Sequence, residues 1–145
     1  MQLQMLLLRK ILEHGFGYAS AMSVKSNPID IWRELAATHA SVHAALDREL
    51  RDQHDLSLVE YEVLDRLGAC SEGHARMQEL ADSAHVNQST CSRVVARLEE
   101  VELARRALCS EDRRGIYATI TEAGRERLAA AAPTYRRVLE EALPG

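Results

Sequence analysis

Between residues 88 and 97 the chain carries Gln88, Ser89, Thr90, Ser92, Arg93 and Arg97, with no acid before Glu99. These are short hydroxyl and amide groups interleaved with forked guanidinium groups. On one exposed helical face they match the donors and acceptors of base edges and phosphates, and arginine's planar fork suits bidentate contacts to phosphate and guanine. A second group, Asp112-Arg113-Arg114-Gly115, sits in a polar stretch between two short apolar segments. Two guanidiniums at a hairpin tip there are placed to enter a minor groove or hold phosphate. Plainer readings stand beside these. Arg93 and Arg97 could be solvated helix arginines pairing with Glu99 or Glu100, and Arg113 and Arg114 an ordinary charged turn.

Other reactive side chains are sparser. The three cysteines, Cys70, Cys91 and Cys109, are odd in number and show no CxxC spacing. That argues against a disulfide framework and for a reducing, cytoplasmic compartment. Cys91 falls in an apolar stripe and reads as a buried free cysteine. Cys109, beside the polar loop, is the better redox candidate of the two. His39 and His43 have the i, i+4 spacing that can chelate zinc, but no third ligand is evident and no metal is assigned. His39 also falls within an apolar stripe, so a packed or pocket-lining ring is expected. Trp32 and Tyr61 read as core or interface packing. There is no P-loop, no GxSxG and no HExxH, and Gly15-Phe16-Gly17 lacks the third glycine of a dinucleotide loop. Neither an enzyme nor a cofactor is indicated.

The elements that must position these residues are mostly helices. Asn27-Pro28-Ile29-Asp30 is a helix opening, with an N-cap, a proline at the first position and an acid in the first turn. Ile31, Leu35, Val42, Leu46 and Leu50 then recur at helical spacing to about Gln53. Ser57-Leu58-Val59-Glu60 is a capping box opening a second helix through Leu67. Ser71, Glu72 and Gly73 make a loop, and Met77 to Ser83 a short third helix. Asn87 caps a fourth, with Cys91, Val94, Val95 and Leu98 inward. Arg105–Leu108 and Ile116–Ile120 read as two strands of a hairpin, with Ile116, Ala118 and Ile120 on a buried face. Thr121 caps a last helix with Leu128, Tyr135, Val138 and Leu139 on its apolar side, which Pro133 is expected to kink or break near Ala132. The fold class is mainly α with a small β-hairpin wing (α+β): a winged helix-turn-helix between long N- and C-terminal helices.

The charge distribution agrees. The 145 residues carry 18 basic and 22 acidic side chains, a net charge of −4. Residues 1–86 hold 8 basic and 13 acidic groups, residues 121–145 hold 4 of each, and residues 87–120, with 6 and 5, are the net-positive segment. Hydrophobic residues make up 46%, enough for a core without staples. No apolar run is long enough to span a bilayer, so no membrane partner is expected. Residues 1–26 read as an N-terminal extension, without a signal peptide and in part poorly ordered.

From about Asn27 to Leu143 the sequence resembles the MarR (multiple antibiotic resistance regulator) family of winged-helix transcription factors. Asp112-Arg113-Arg114-Gly115 looks like the family's wing signature D-x-R-[GS]. Ser92-Arg93-Val94-Val95-Ala96-Arg97-Leu98-Glu99 looks like its T-R-x-(V)-x-x-L-E helix, with Ser92 in place of the usual threonine. Thr121-Glu122-Ala123-Gly124 matches the T-x-x-G after the wing, and Gln78-Glu79-Leu80-Ala81 the x-x-L-A helix. The resemblance implies an obligate homodimer on a pseudo-palindromic duplex operator, most often a repressor, released by a small-molecule effector or by oxidation. It implies Gln88, Ser89, Thr90, Ser92, Arg93 and Arg97 toward the major groove, Arg113 and Arg114 at the wing with Asp112 steadying Arg114, and an effector pocket that Trp32, His39, His43 and Tyr61 could line. It divides the chain into 27–55 (dimerisation helix), 56–120 (winged helix-turn-helix) and 121–145 (C-terminal dimerisation helix, without the family's last helix). Glu102 stands where the family has a glycine, at a helix-ending position that favours φ > 0, a departure expected either to cost ~1 kcal/mol or to reshape the turn. Two other functions use the same residues. One is a ligand- or protein-binding dimer that kept the scaffold without DNA reading. The other is a thiol-based redox sensor using Cys109 or Cys91.

Overall fold

The computed structural model describes residues 27–70, 74–108 and 115–143. In chain order the elements are α1 (Pro28–His54), α2 (Leu58–Ala69), β1 (His74–Arg76), α3 (Met77–Ser83), α4 (Gln88–Glu100), β2 (Ala104–Leu108), β3 (Ile116–Ile120) and α5 (Glu122–Ala142). The proposed extension, residues 1–26, lies outside the described residues.

Local chemistry sets the helix ends. The Asn27 side chain accepts the Ile29 N–H at 3.1 Å, with Pro28 at the first position. The Ser57–Glu60 capping box is complete in both directions, at 2.7 and 3.2 Å. Asp47 of α1 accepts the Leu58 N–H at 2.9 Å, which ties the start of α2 to α1. Leu50, Leu64, Leu67, Leu80, Cys91, Val95 and Leu98 are fully buried in a core in which α1 packs on α2 and α5, and α2 packs on α3, α4 and α5.

The sheet has three antiparallel strands in the order β1-β3-β2. The sequence suggested only the β2–β3 hairpin. β1 is three residues long, too short to show a period, and it forms because the second edge of β3 is open to it. Ile116, expected on the buried face, is 54% exposed, while Ala118 and Ile120 are buried. Only the part of β3 that lies over the helices has a covered side.

α5 runs unbroken through Pro133, so of the kink or break expected near Ala132 the break does not occur. Proline in a helix interior costs ~3 kcal/mol. Ala131, Thr134 and Val138 are buried on either side of it, with Leu128, Tyr135 and Leu139 packed against the core, and their burial outweighs that cost. Pro133 itself faces solvent.

The T-x-x-G segment has a packing reason. Thr121 Oγ1 donates to the Glu102 carbonyl at 2.7 Å and accepts the Gly124 N–H at 3.0 Å. A Cβ on Gly124 would sit 2.1 Å from the Leu103 carbonyl oxygen. Glycine thus lets the start of α5 press against the turn that leaves α4.

Candidate nucleic-acid interface

α3, a short turn and α4 form the helix-turn-helix. The turn passes through His85 at φ 56°, and the Asn87 side chain then accepts the Thr90 N–H at 2.8 Å to start α4. On the underside of α4, Cys91, Val95 and Leu98 are fully buried and Val94 is partly so. On the opposite side Gln88, Ser89, Arg93 and Arg97 are exposed, and Thr90 and Ser92 are half-buried. The apolar stripe holds the helix down and so presents the polar face to solvent.

That face is lightly tethered. Arg93 Nη2 lies 3.5 Å from Thr90 Oγ1, a marginal contact. Arg97 pairs with Glu100 at 3.4 Å, with both side chains more than half exposed. The plainer reading of Arg97 therefore has a physical basis, although a solvated pair of this kind is weak and easily exchanged.

Arg105 and Arg106 are both exposed on β2, and the Arg106 side chain turns toward α4 and bonds Glu99 and Ser92. On the far side of the sheet Arg76 Nε donates to Tyr117 Oη at 2.8 Å, and His74 meets the edge of the same ring. Arg106 was not among the residues singled out from sequence. The available signal was alternation, which puts it in the same row as Ala104, inward. Asp112, Arg113, Arg114 and Cys109 lie outside the described residues.

The other candidates are dispersed. Trp32 is 68% exposed, not packed in the core of this chain. His39, expected within an apolar stripe, is exposed, as is His43, and their ring centroids are 6.0 Å apart. Tyr61 is buried and stacks on Tyr135 with centroids 4.5 Å apart. Burial pushes its phenol up to about 12, with Asp65 and Tyr135 adding and Arg136 opposing. Burial also raises the carboxyl of the adjacent Glu62, against the pull of His43, Arg66 and His85. Burial raises the Cys91 thiol, which Arg106 opposes, and its Sγ faces the Met77 carbonyl at 3.8 Å. That setting disfavours the thiolate. No group of three or more metal-ligating side chains occurs among the described residues. Nor is any helix among them long and apolar enough to cross a membrane.

The model of the MarR family matches residues 56–116, from the start of α2 to the start of β3. The solved structure of Sco3205, a MarR family transcriptional regulator from Streptomyces coelicolor in complex with DNA, is 30% identical, with a TM-score of 0.77 over 86% of this chain and 78% of that one. The chain belongs to the MarR family. Members of the MarR family are transcriptional regulators, not enzymes. AbsC, another MarR family regulator from Streptomyces coelicolor, is 28% identical with a TM-score of 0.73, over 84% of this chain and 82% of AbsC. The transcriptional regulator BldR from Sulfolobus solfataricus is 30% identical with a TM-score of 0.68, over 81% and 85%. No curated protein sequence matches the chain.

Proposed function

We propose that this MarR-family regulator is a homodimeric repressor that reads a pseudo-palindromic DNA duplex in the cytoplasm. The observation that carries the reading is the polar, solvent-facing side of α4, held by a fully buried stripe beneath it. Gln88, Ser89, Thr90, Ser92 and Arg93 would enter the major groove, with Arg97 beside them and Arg113 and Arg114, steadied by Asp112, at the wing. The DNA bound to Sco3205 supports the same use of this fold here.

The dimer reading draws on α1. This helix of 27 residues, about 40 Å long, buries only Leu46 and Leu50 within its own chain and leaves Ile29 and Trp32 more than half exposed. A second copy would cover that apolar length and set two copies of α4 about one turn of DNA (~34 Å) apart. Release would come from a small ligand held near Trp32, His39 and His43, or from oxidation of a cysteine.

Fluorescence anisotropy with the duplex upstream of the protein's own gene, at two salt concentrations, tests the central claim. Binding should weaken steeply with salt as phosphate contacts are lost. Arg93→Ala should lower affinity by about 1–3 kcal/mol, roughly five- to 150-fold, without lowering the melting temperature. Salt-insensitive binding, or full affinity in Arg93→Ala, would refute it.

A further inference from the structure

Arg106 occupies the inward row of β2, two residues after buried Ala104 and opposite buried Ala118 of β3. The residue is still exposed at this end of the strand, and α4 supplies three contacts to it. Glu99 Oε1 accepts the Arg106 backbone N–H at 2.7 Å, and Glu99 Oε2 lies 3.1 Å from Arg106 Nε. The far end of the guanidinium, Nη2, donates to the Ser92 carbonyl. Ser92 and Glu99 are two helical turns apart, ~10 Å along the axis. One guanidinium therefore bridges a carboxylate from the last turn of the helix and a backbone carbonyl from its middle.

The backbone N–H involved belongs to the free edge of β2, because β3 pairs with the other edge. Glu99 thus satisfies a donor that an edge strand otherwise leaves open. Both side chains of this pair are about one third exposed, 32% and 33%, against 55% and 68% for Arg97–Glu100 on the same helix. Less solvent screening and three contacts from one residue make this a defined joint, unlike the loose pairs on the outer surface.

We infer that Arg106 and Glu99 form a clip that sets the angle of the β2–β3 hairpin against α4, and that both are positioning residues for DNA recognition. The inference rests on the DNA-binding reading above. A reader made of two elements works only when they are held within about 0.5 Å and 10–20° of the productive geometry. The clip supplies that constraint at the base of the wing, and it grips the backbone of α4 at Ser92, between Thr90 and Arg93 of the reading face. Neither residue has to touch DNA.

The test uses a duplex selected from a random library by the unaltered full-length chain, and a scrambled duplex as control. Glu99→Gln keeps an acceptor for the Arg106 N–H and removes the charge. Arg106→Lys keeps the charge, but its compact ammonium cannot reach both Glu99 and Ser92. Each should weaken binding to the selected duplex about tenfold (~1.4 kcal/mol), with scrambled-duplex binding and melting temperature unchanged. In an Arg114→Ala background, where the wing no longer reads, the further loss should fall below about twofold. Equal losses in both backgrounds, or undiminished binding in both variants, overturn the clip. If Arg106→Lys does not fold, Glu99→Gln carries the same cycle. Failure of the unaltered chain to select any duplex overturns the DNA-binding reading and the clip with it. Selection followed by additive losses overturns the clip alone.

Discussion

α4 and the first half of α1 share one helical period and leave opposite surfaces uncovered. α4 buries Cys91, Val95 and Leu98 completely and turns Gln88, Ser89, Arg93 and Arg97 to solvent. The first half of α1 keeps Ile29 and Trp32 exposed and Ile31 and Leu35 half-exposed, and no residue of α1 before Leu46 is buried. The second half of α1 is anchored by Leu46 and Leu50, by Asp47 to α2, and by Arg137 of α5 bonding Glu49 at 3.0 Å. An uncovered polar face suits a charged, hydrated partner. An uncovered apolar face beyond the core suits a second protein surface.

Removing buried bulk beneath α4 should give the largest effect. Leu98→Ala is expected to cost about 2–5 kcal/mol in urea denaturation, because the fully buried site cannot collapse around the loss. Ile29→Ala, the matching truncation on α1, should change the stability of the dilute single chain by less than about 0.5 kcal/mol. Comparable losses at both positions would erase the contrast. Trp32→Ala should weaken self-association by about 2 kcal/mol in sedimentation equilibrium, roughly thirtyfold, under the dimer reading. An unchanged association constant would remove α1 from the interface.

Smaller effects sharpen the picture at the two ends of α4. His85 and Glu102 hold φ of 56° and 59° without being glycine. His85→Gly and Glu102→Gly should each stabilise by up to about 1 kcal/mol in thermal melts, and a loss would mean those side chains make contacts that outweigh the backbone cost.

The smallest expected effect depends on pH. Burial raises the Glu62 carboxyl above its unfolded value. The folded state therefore favours the protonated form. This contribution is intact below the unfolded carboxyl pKa and is lost as pH rises through the folded one. Glu62→Gln should raise the melting temperature by about 1–3 °C near pH 7, with the difference closing below about pH 4. Asp47 has the opposite sign. Its own burial pushes it up, but the Arg51 hydrogen bond, the Leu58 N–H and the charges of Arg51 and His43 hold it low. Its contribution is full above the unfolded carboxyl pKa and fades as pH falls through the folded one.

Local signals were readable in the chain. The Asn27, Ser57–Glu60, Asn87 and Thr121 caps lie where their side chains predicted, because capping is settled within four residues. The inner face of α4 followed from spacing alone. Trp32 and His39 are exposed in the single chain, so the core half of the Trp32 reading fails, while its interface half and the pocket-lining reading of His39 belong to the proposal. Residue type and spacing mark a side chain as one that packs without saying what covers it.

What residue order settles here is short-range: which segments coil, where they start, and which side of α4 is apolar. Those outcomes depend on neighbours three or four positions away. The continuity of α5 through Pro133, the pairing of β1 with β3 and the reach of Arg106 to Ser92 and Glu99 depend on groups brought together from distant parts of the chain. A lost helix bond is tolerated only where packing on both sides compensates. Arg106 bridges a carboxylate and a carbonyl of α4 only because folding lays β2 alongside that helix.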